Sequence, residues 1–306
     1  MGGVIERFPV PARGEIPAAD GLALAHTNPP HRLLIEAIVR QALEEDMGRA
    51  GDITTDAIIA ADATARAVIA AREAGVVAGL IAADLAFKLI DPSVRFTVKA
   101  PDGSEVAAGS AIAMLEGPAR ALLTSERVAL NFLGHLSGVA TATHALVTAV
   151  AGTKARSICT RKTIPGMRVL QKYAVRCGGG LNHRFGLDDA VLIKDNHIAS
   201  AGGVAEAIRR LRGRLGPMVK IEVEVDTLAQ LETALGEGAD AILLDNMAPE
   251  TMRKAVAITK GRATLEASGG ITLTRVRAIA ESGVDYISSG ALTHSARSLD
   301  LGLDFL

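Results

Sequence analysis

VKIEVEVD (219–226), DAILLDN (240–246) and ATLEASGG (263–270) are the runs on which the fold turns. Each is a short apolar stretch that stops at polar or glycine residues and is followed by a helix-like stretch. Working outward, ARSICTRKT (155–163), DAVLIKDNH (189–197) and VDYISSG (284–290) have the same form. Five residues that close these runs, Lys194, Glu224, Asp245, Ser268 and Gly290, stand 30, 21, 23 and 22 residues apart, about one βα unit each. Repeated βα units of buried parallel strands imply a barrel or an open doubly wound sheet. Six units fall short of the eight in a full TIM barrel. The expected class is therefore α/β, with an incomplete TIM-like α/β barrel. In either architecture ligands bind at the carboxyl ends of the strands, where this chain puts its charges.

Upstream the pattern changes. HRLLIEAIVRQALEED (31–46) places Leu34, Ile38 and Leu43 among charges, which predicts an amphipathic helix ended by Gly48 and Gly51. ARAVIAA (65–71) reads as a strand, and VRFTVKA with SAIAMLEG around Asp102-Gly103 reads as a hairpin with a long loop. Thr124-Ser125-Glu126 offers a cap for a helix over 126–150 that buries Val128, Phe132, Leu136, Val139 and Leu146. Gly134 and Gly138 on that helix leave room for another backbone. Four segments follow: a loosely ordered leader (1–30), an α+β (α/β sandwich) domain (31–138), the barrel (139–292), and a C-terminal segment (293–306) expected to pack back on the first domain.

Composition narrows the function. Between Arg127 and Leu187 there are nine Lys or Arg and no Asp or Glu, and the remainder carries 24 basic against 34 acidic residues. Such a concentrated positive field holds something anionic. Aromatics are only 3% of the chain and Trp is absent, which argues against single-stranded nucleic acid and its stacking platforms. No apolar run reaches the ~18 residues of a membrane span. Cys159 and Cys177 form no CxxC pair, so free thiols in the cytoplasm are expected.

The strand ends supply the chemistry. Arg161 and Lys162 follow the first run, where they form either a solvated turn or a carboxylate or phosphate grip. Pro165 is expected to open a helix on which Arg168, Lys172 and Arg176 form a stripe, read as a solvated face or a subunit contact. His183 beside Arg184, past a triple glycine, makes a candidate carboxylate clamp. Lys194 can form a Schiff base, bind phosphate or pair with Asp195. Glu222, Glu224 and Asp226 alternate and so share one face, and Asp245 adds a carboxylate on the next unit. Such acids suit Mg²⁺ carried by substrate phosphates, or an internal salt-bridge network. Ser268-Gly269-Gly270 and Ser288-Ser289-Gly290 can present backbone N–H groups to a phosphate, with His294 a further donor or a helix cap.

These motifs resemble the quinolinate phosphoribosyltransferase family over nearly all of 31–306. The resemblance rests on EEDMGRAGDITT, SERVALNFLGHLSGVAT, TRKTIPGMRVLQKYAVRCGGGLNHRFGLDDAVLIKDNHI, IEVEVD, AILLDN, LEASGGI and ISSGALTHS, in that order. It implies transfer of a phosphoribosyl group from 5-phosphoribosyl-1-pyrophosphate to quinolinate with decarboxylation, in NAD biosynthesis. It also implies Mg²⁺ as cofactor and a homodimer. By that resemblance Arg161, His183, Arg184 and Lys194 would hold the quinolinate carboxylates, with Arg127 reaching in from the partner subunit. Lys162 would lie at the reacting centre. Glu224 and Asp245 would bind ribose and magnesium, and Ser268, Gly269, Gly290 and His294 would grip the 5-phosphate. The alternatives are a relative acting on nicotinate or in another pathway, a Schiff-base aldolase, and a non-catalytic anion-binding module.

Overall fold

A computed structural model describes residues 28–306, so most of the leader lies outside the described residues. The chain divides into two compact units. One takes residues up to His144, Thr163–Gly179 and Ala291–Leu306, and the other takes Ala145–Lys162 and Gly180–Gly290. A single break at 138/139 therefore does not describe the packing: residues 163–179 leave the barrel segment and cluster with the first unit.

The first unit opens with α1 (Glu36–Met47) and α2 (Ile53–Ile58), the latter capped by the Asp52 carboxylate on the Thr55 N–H. The buried stripe of α1 is Ile35, Val39 and Leu43, whereas Leu34 is exposed in the 3-10 turn before it. That moves the expected face by about one residue, because the helix starts after the turn that holds Leu34. β1 (Thr64–Ala71) buries Ala67, Ile69 and Ala71, and β2 (Gly75–Val76) leads to α3 (Leu80–Ile90). β3 (Arg95–Val98), β4 (Glu105–Val106) and β5 (Ala111–Pro118) follow, with β3 and β5 antiparallel and Gly103 left-handed in the loop between them.

α4 (Ala119–Ala149) starts seven residues before the expected boundary. Thr124 and Ser125 lie inside it, so neither is the cap; the exit of β5 at Pro118 sets the start instead. Val128, Phe132, Leu136, Val139 and Leu146 are buried. At Gly138 an added Cβ would stand 2.0 Å from the Arg297 carbonyl oxygen, and at Gly134 2.9 Å from that of Leu299. The returning chain thus runs directly against the helix backbone, and β12 (Leu301–Phe305) pairs antiparallel with β1 at the edge of a sheet ordered β12-β1-β5-β3.

α5 (Arg168–Cys177) begins after a turn that contains Pro165 and Gly166, so the proline does not open the helix. Its three cations do not form a solvated face, because Lys172 is wholly buried between half-buried Arg168 and exposed Arg176. Tyr173 donates to the half-buried Asp102 carboxylate at 2.7 Å, and Asp102 also receives the Leu80 N–H. Burial raises the Asp102 pKa and pushes the Cys177 thiol up to about 12. Both cysteines are buried and free.

The second unit holds β6 (Arg156–Ile158), β7 (Val191–Ile193), β8 (Ile221–Val225), β9 (Ala241–Asp245), β10 (Thr264–Ser268) and β11 (Tyr286–Ser288). All pairs are parallel, in the order β6-β11-β10-β9-β8-β7. First and last strands pair as a barrel requires, but β6 meets only a bridge from Leu181 on its other side, and β7 has no further partner in the sheet. This is an incomplete α/β barrel. α6 (Asp195–Ala201), α7 (Val204–Arg212), α8 (Leu228–Gly236), α9 (Pro249–Thr259) and α10 (Leu273–Ala280) connect the strands. Thr227 and Gln230 form a capping box on α8, and Pro249 starts α9.

Two aspartates repeat a staple at the amino ends of the strands. In GAD-AILL, Asp240 accepts from the Ile221 N–H; in GVD-YISS, Asp285 accepts from the Leu265 N–H. Each also takes a lysine, Lys220 and Lys154 respectively. The last helix, α11 (Ala291–His294), belongs to the first unit. No helix among the described residues is long and apolar enough to cross a membrane.

Candidate active site

Because the six strands are parallel, their carboxyl ends share one edge, and the functional side chains of the second unit leave from it. Arg161 and Lys162 follow β6, with the Lys162 N–H held by the Thr160 hydroxyl at 3.0 Å. Arg161 Nε is shut off from solvent and has no hydrogen-bond partner. A buried guanidinium N–H without an acceptor is costly, on the order of 1–3 kcal/mol, so it points to an anion that completes it. Arg184 donates Nη1–H to the Ala190 carbonyl at 2.9 Å. Burial lowers its pKa and the charge of Arg161 lowers it further, so two guanidiniums repel each other here. A diacid between them would relieve both costs.

His183 departs from the expected clamp. Its Nδ1 accepts from the Arg184 N–H at 2.7 Å, which leaves the proton on Nε2, and Nε2 lies 2.8 Å from Glu222 Oε2. Both ring nitrogens are thus hydrogen-bonded within the protein. Lys194 follows β7 and pairs with Glu224 at 2.9 Å, not with Asp195. The lysine is half exposed, so the pair is worth only about 0–1 kcal/mol and is readily exchanged for substrate.

Glu222 and Glu224 alternate on β8 and share a face, each met by a cation or its equivalent: His183 for the first, Lys194 for the second. Asp226 lies past the strand and is exposed. Glu266 on β10 is the acid that sequence reasoning did not single out. It is buried, and its Oε2 lies 3.5 Å from His183 Nε2. Burial, and then the neighbouring Glu222 charge, pushes its carboxyl well above the usual range. A signal was there: a lone acid in the middle of the apolar run ATLEAS, two residues before Ser268 and so on the same face. The donor atoms of His183, Glu222 and Glu266 lie within 4.8 Å of one another, with His183 Nε2 2.8 Å from Glu222 Oε2. Glu224 and Asp245, at the ends of adjacent strands, have the donor chemistry that suits Mg²⁺.

Asp245 accepts from the Asn246 amide at 2.7 Å. Asn246 is itself left-handed, with φ 52°, and its N–H donates to the Ser268 carbonyl at 2.9 Å. Gly269, at φ 88°, completes this turn; a Cβ there would stand 2.1 Å from the Asn246 Oδ1. Ser268 and Ser288 hydroxyls lie 3.1 Å apart across β10 and β11. Gly290 follows β11 after Ser289, whose N–H donates to the Ile158 carbonyl. Two predicted residues belong to the other unit: Arg127, exposed on α4, and His294, exposed at the end of α11 with Nδ1 2.6 Å from the Ser295 hydroxyl.

Comparison with known proteins agrees with the fold. The profile described as quinolinate phosphoribosyl transferase, C-terminal domain, matches residues 139–304, and its N-terminal counterpart matches 52–137. The chain belongs to the quinolinate phosphoribosyltransferase family. Within that family it is 44% identical over 274 residues to the probable nicotinate-nucleotide pyrophosphorylase (carboxylating) of Bacillus subtilis, covering 90% of this chain and 94% of the other. It is 46% identical to the nicotinate-nucleotide pyrophosphorylase (carboxylating) of Mycobacterium leprae, covering 87% and 95%. The crystal structure of NadC from Streptococcus pyogenes superimposes with a TM-score of 0.87 at 42% identity, covering 91% of this chain and 99% of that one.

Proposed function

We infer that the protein is a decarboxylating quinolinate phosphoribosyltransferase of NAD biosynthesis. It joins quinolinate to 5-phosphoribosyl-1-pyrophosphate and releases nicotinate mononucleotide, pyrophosphate and CO₂. The observation that carries this reading is the pair of mutually repelling guanidiniums, Arg161 and Arg184, with the Arg161 Nε–H lacking an acceptor. Two fixed forks beside a half-exposed lysine match a diacid better than nicotinate, whose single carboxylate needs one.

The chemistry assigns roles to the chain's own residues. The pyridine nitrogen attacks the anomeric carbon as the C–O bond to pyrophosphate breaks, so positive charge grows on the sugar and negative charge on the leaving group. Glu224 and Asp245 favour the former and Lys162 the latter. Mg²⁺, held through Glu224, Asp245 and the substrate phosphates, would neutralise charge on the pyrophosphate. Once the nitrogen is cationic, the adjacent carbon–carboxylate bond breaks, CO₂ leaves, and the electron pair stays on the ring carbon until a proton replaces it. The other carboxylate stays with the arginines. Ser268, Gly269 and Gly290 serve the 5-phosphate, with His294 as a further donor.

Arg127 acts across a homodimer interface in this reading, and the buried free thiols suit a reducing cytoplasm. A Schiff-base role for Lys194 fits poorly, because an ion-paired, half-exposed lysine lacks the desolvation that activates an amine.

The test is pyrophosphate release with quinolinate or nicotinate, with and without Mg²⁺. Quinolinate with Mg²⁺ should be used at least a hundredfold better than nicotinate; equal use of the two acids would overturn the reading. Mixing Arg127→Ala with Lys162→Ala protein should restore part of the activity through hybrid dimers. No recovery would count against a shared site.

A further inference from the structure

We propose that Gln171 is a positioning residue for the phosphoribosyl donor: its buried amide ties the chain just after Lys162 to the chain between Gly290 and His294. The inference rests on the assignment of those three residues to phosphoribosyl pyrophosphate and adds the group that anchors their segments. Gln171 lies on α5 and is wholly shut off from solvent. Its Oε1 accepts the Ile164 N–H at 2.9 Å, and its Nε2 donates to the Thr293 carbonyl at 2.5 Å. The same Nε2 lies 2.9 Å from His135 Nε2 on α4. All four residues belong to the first unit. Ile164 stands two residues past Lys162, and Thr293 three past Gly290. The amide therefore grips both segments where the chain has just crossed from the second unit.

An amide suits this place because its two ends are chemically unequal. One end must accept, since Ile164 offers an N–H, and the other must donate, since Thr293 offers a carbonyl. Neither an ionised carboxylate nor a thioether of similar length satisfies both. The second amide hydrogen is left for His135, whose Nε2 accepts it, so the ring is neutral with its proton on Nδ1. Burial favours that neutral form by lowering the His135 pKa. Residues 164–166 are exposed, so packing does little to fix the first crossing. Hydrogen bonds hold it instead, from Gln171 and from Arg168, whose Nε–H meets the Thr163 hydroxyl at 3.0 Å. Lys162 is assigned to the pyrophosphate end of the donor, and Gly290 and His294 to its 5-phosphate, so one molecule spans both anchored segments. Arg184 and Lys194 belong to other segments than the two Gln171 bonds, so quinolinate should feel its loss less.

Steady-state kinetics of three full-length variants and one spectrum test the proposal. Gln171→Met keeps the length and loses every hydrogen bond. It should raise the phosphoribosyl pyrophosphate KM about tenfold or more while the quinolinate KM changes less than about threefold. Ile164→Pro deletes the N–H from an exposed loop and leaves the core intact; it should raise the same KM about threefold or more. Ile164→Ala keeps that N–H and should stay within about twofold of wild type. Whatever substrate is present, the ring ¹⁵N resonances of wild-type His135 should report the Nδ1–H tautomer. A folded Gln171→Met with an unchanged phosphoribosyl pyrophosphate KM would overturn the proposal, as would equal rises in both KM values. Should Gln171→Met not fold, an unchanged KM in Ile164→Pro, or Ile164→Ala as damaged as Ile164→Pro, would still refute it. An Nε2–H tautomer at His135 would do the same. If wild type binds phosphoribosyl pyrophosphate but does not use quinolinate, the assigned activity fails instead. Calorimetric dissociation constants for phosphoribosyl pyrophosphate with Mg²⁺, expected to rise by the same factors in the same variants, then judge Gln171. A wild type that binds no phosphoribosyl pyrophosphate sinks both.

Discussion

Replacing Gly269 with alanine tests how a turn governs Asp245, the acid proposed for ribose and magnesium 24 residues upstream. Gly269 has φ 88°, where an L side chain costs on the order of 1–3 kcal/mol. The new methyl would stand 2.1 Å from the Asn246 Oδ1, about 1.3 Å inside ordinary contact, so the Asn246 amide must move. That amide holds Asp245 at 2.7 Å, and a hydrogen bond to a charged group is worth about 1.5–3 kcal/mol. Part of that loss falls on stability and part on the placement of Asp245. If half or more reaches the substrate, the phosphoribosyl pyrophosphate KM rises about threefold to a hundredfold, at 1.4 kcal/mol per decade. Asn246→Ala removes the same bond without the backbone cost, so it should reproduce the KM change with a smaller loss of thermal stability. Steady-state kinetics and thermal melts of both variants provide the comparison. A Gly269→Ala protein that melts earlier but keeps its phosphoribosyl pyrophosphate KM within twofold would refute the link from turn to acid.

Arg161→Met should raise the quinolinate KM about tenfold to a hundredfold, the worth of a charge-assisted bond reduced by relief of the repulsion on Arg184; an unchanged KM would remove Arg161 from the clamp. Gly138→Ala should lower stability by about 1–3 kcal/mol despite a helix-propensity gain of up to about 1, because a backbone carbonyl 2.0 Å away cannot swing aside. Gly134→Ala, at 2.9 Å, should cost less, and denaturant melts would expose a reversed order. For Asp240, burial pushes the pKa up but is outweighed by bonds to Lys220 and Ile221 and the charge of Arg212, so the folded value is depressed. Its contribution is therefore present above the unfolded pKa of about 3.9 and lost as pH falls through the folded value. The stability gap between wild type and Asp240→Asn should be flat above about pH 5 and close below about pH 4; a gap that widens in acid would contradict the staple.

Much of the barrel could be read along the chain because its information is local. Each strand is a short apolar run ended by glycine or a charge, and the side-chain period of two placed Glu222 and Glu224 on one face before any coordinates. The close approach at Gly134 and Gly138 was legible for the same reason: only a missing Cβ leaves such space on a helix. Local reading failed where a segment's surroundings outweighed its own pattern. Thr124 and Ser125 have the chemistry of a cap, yet the exit of β5 starts α4 before them. Lys172 sits in a plausible surface stripe, yet it is wholly buried.

By itself, then, the amino-acid order determined the βα repeat, the strand ends and the residue types that gather there, since those follow from periodicity and chain stiffness. Only the tertiary structure decided which partners those residues meet. Lys194 pairs with Glu224 rather than its neighbour Asp195, and His183 spends both ring nitrogens inside the protein. Asn246 meets the Ser268 carbonyl through a turn distant along the chain. Hydrogen bonds and desolvation act over a few ångströms of space, and spacing along the chain does not encode that distance once strands are laid side by side.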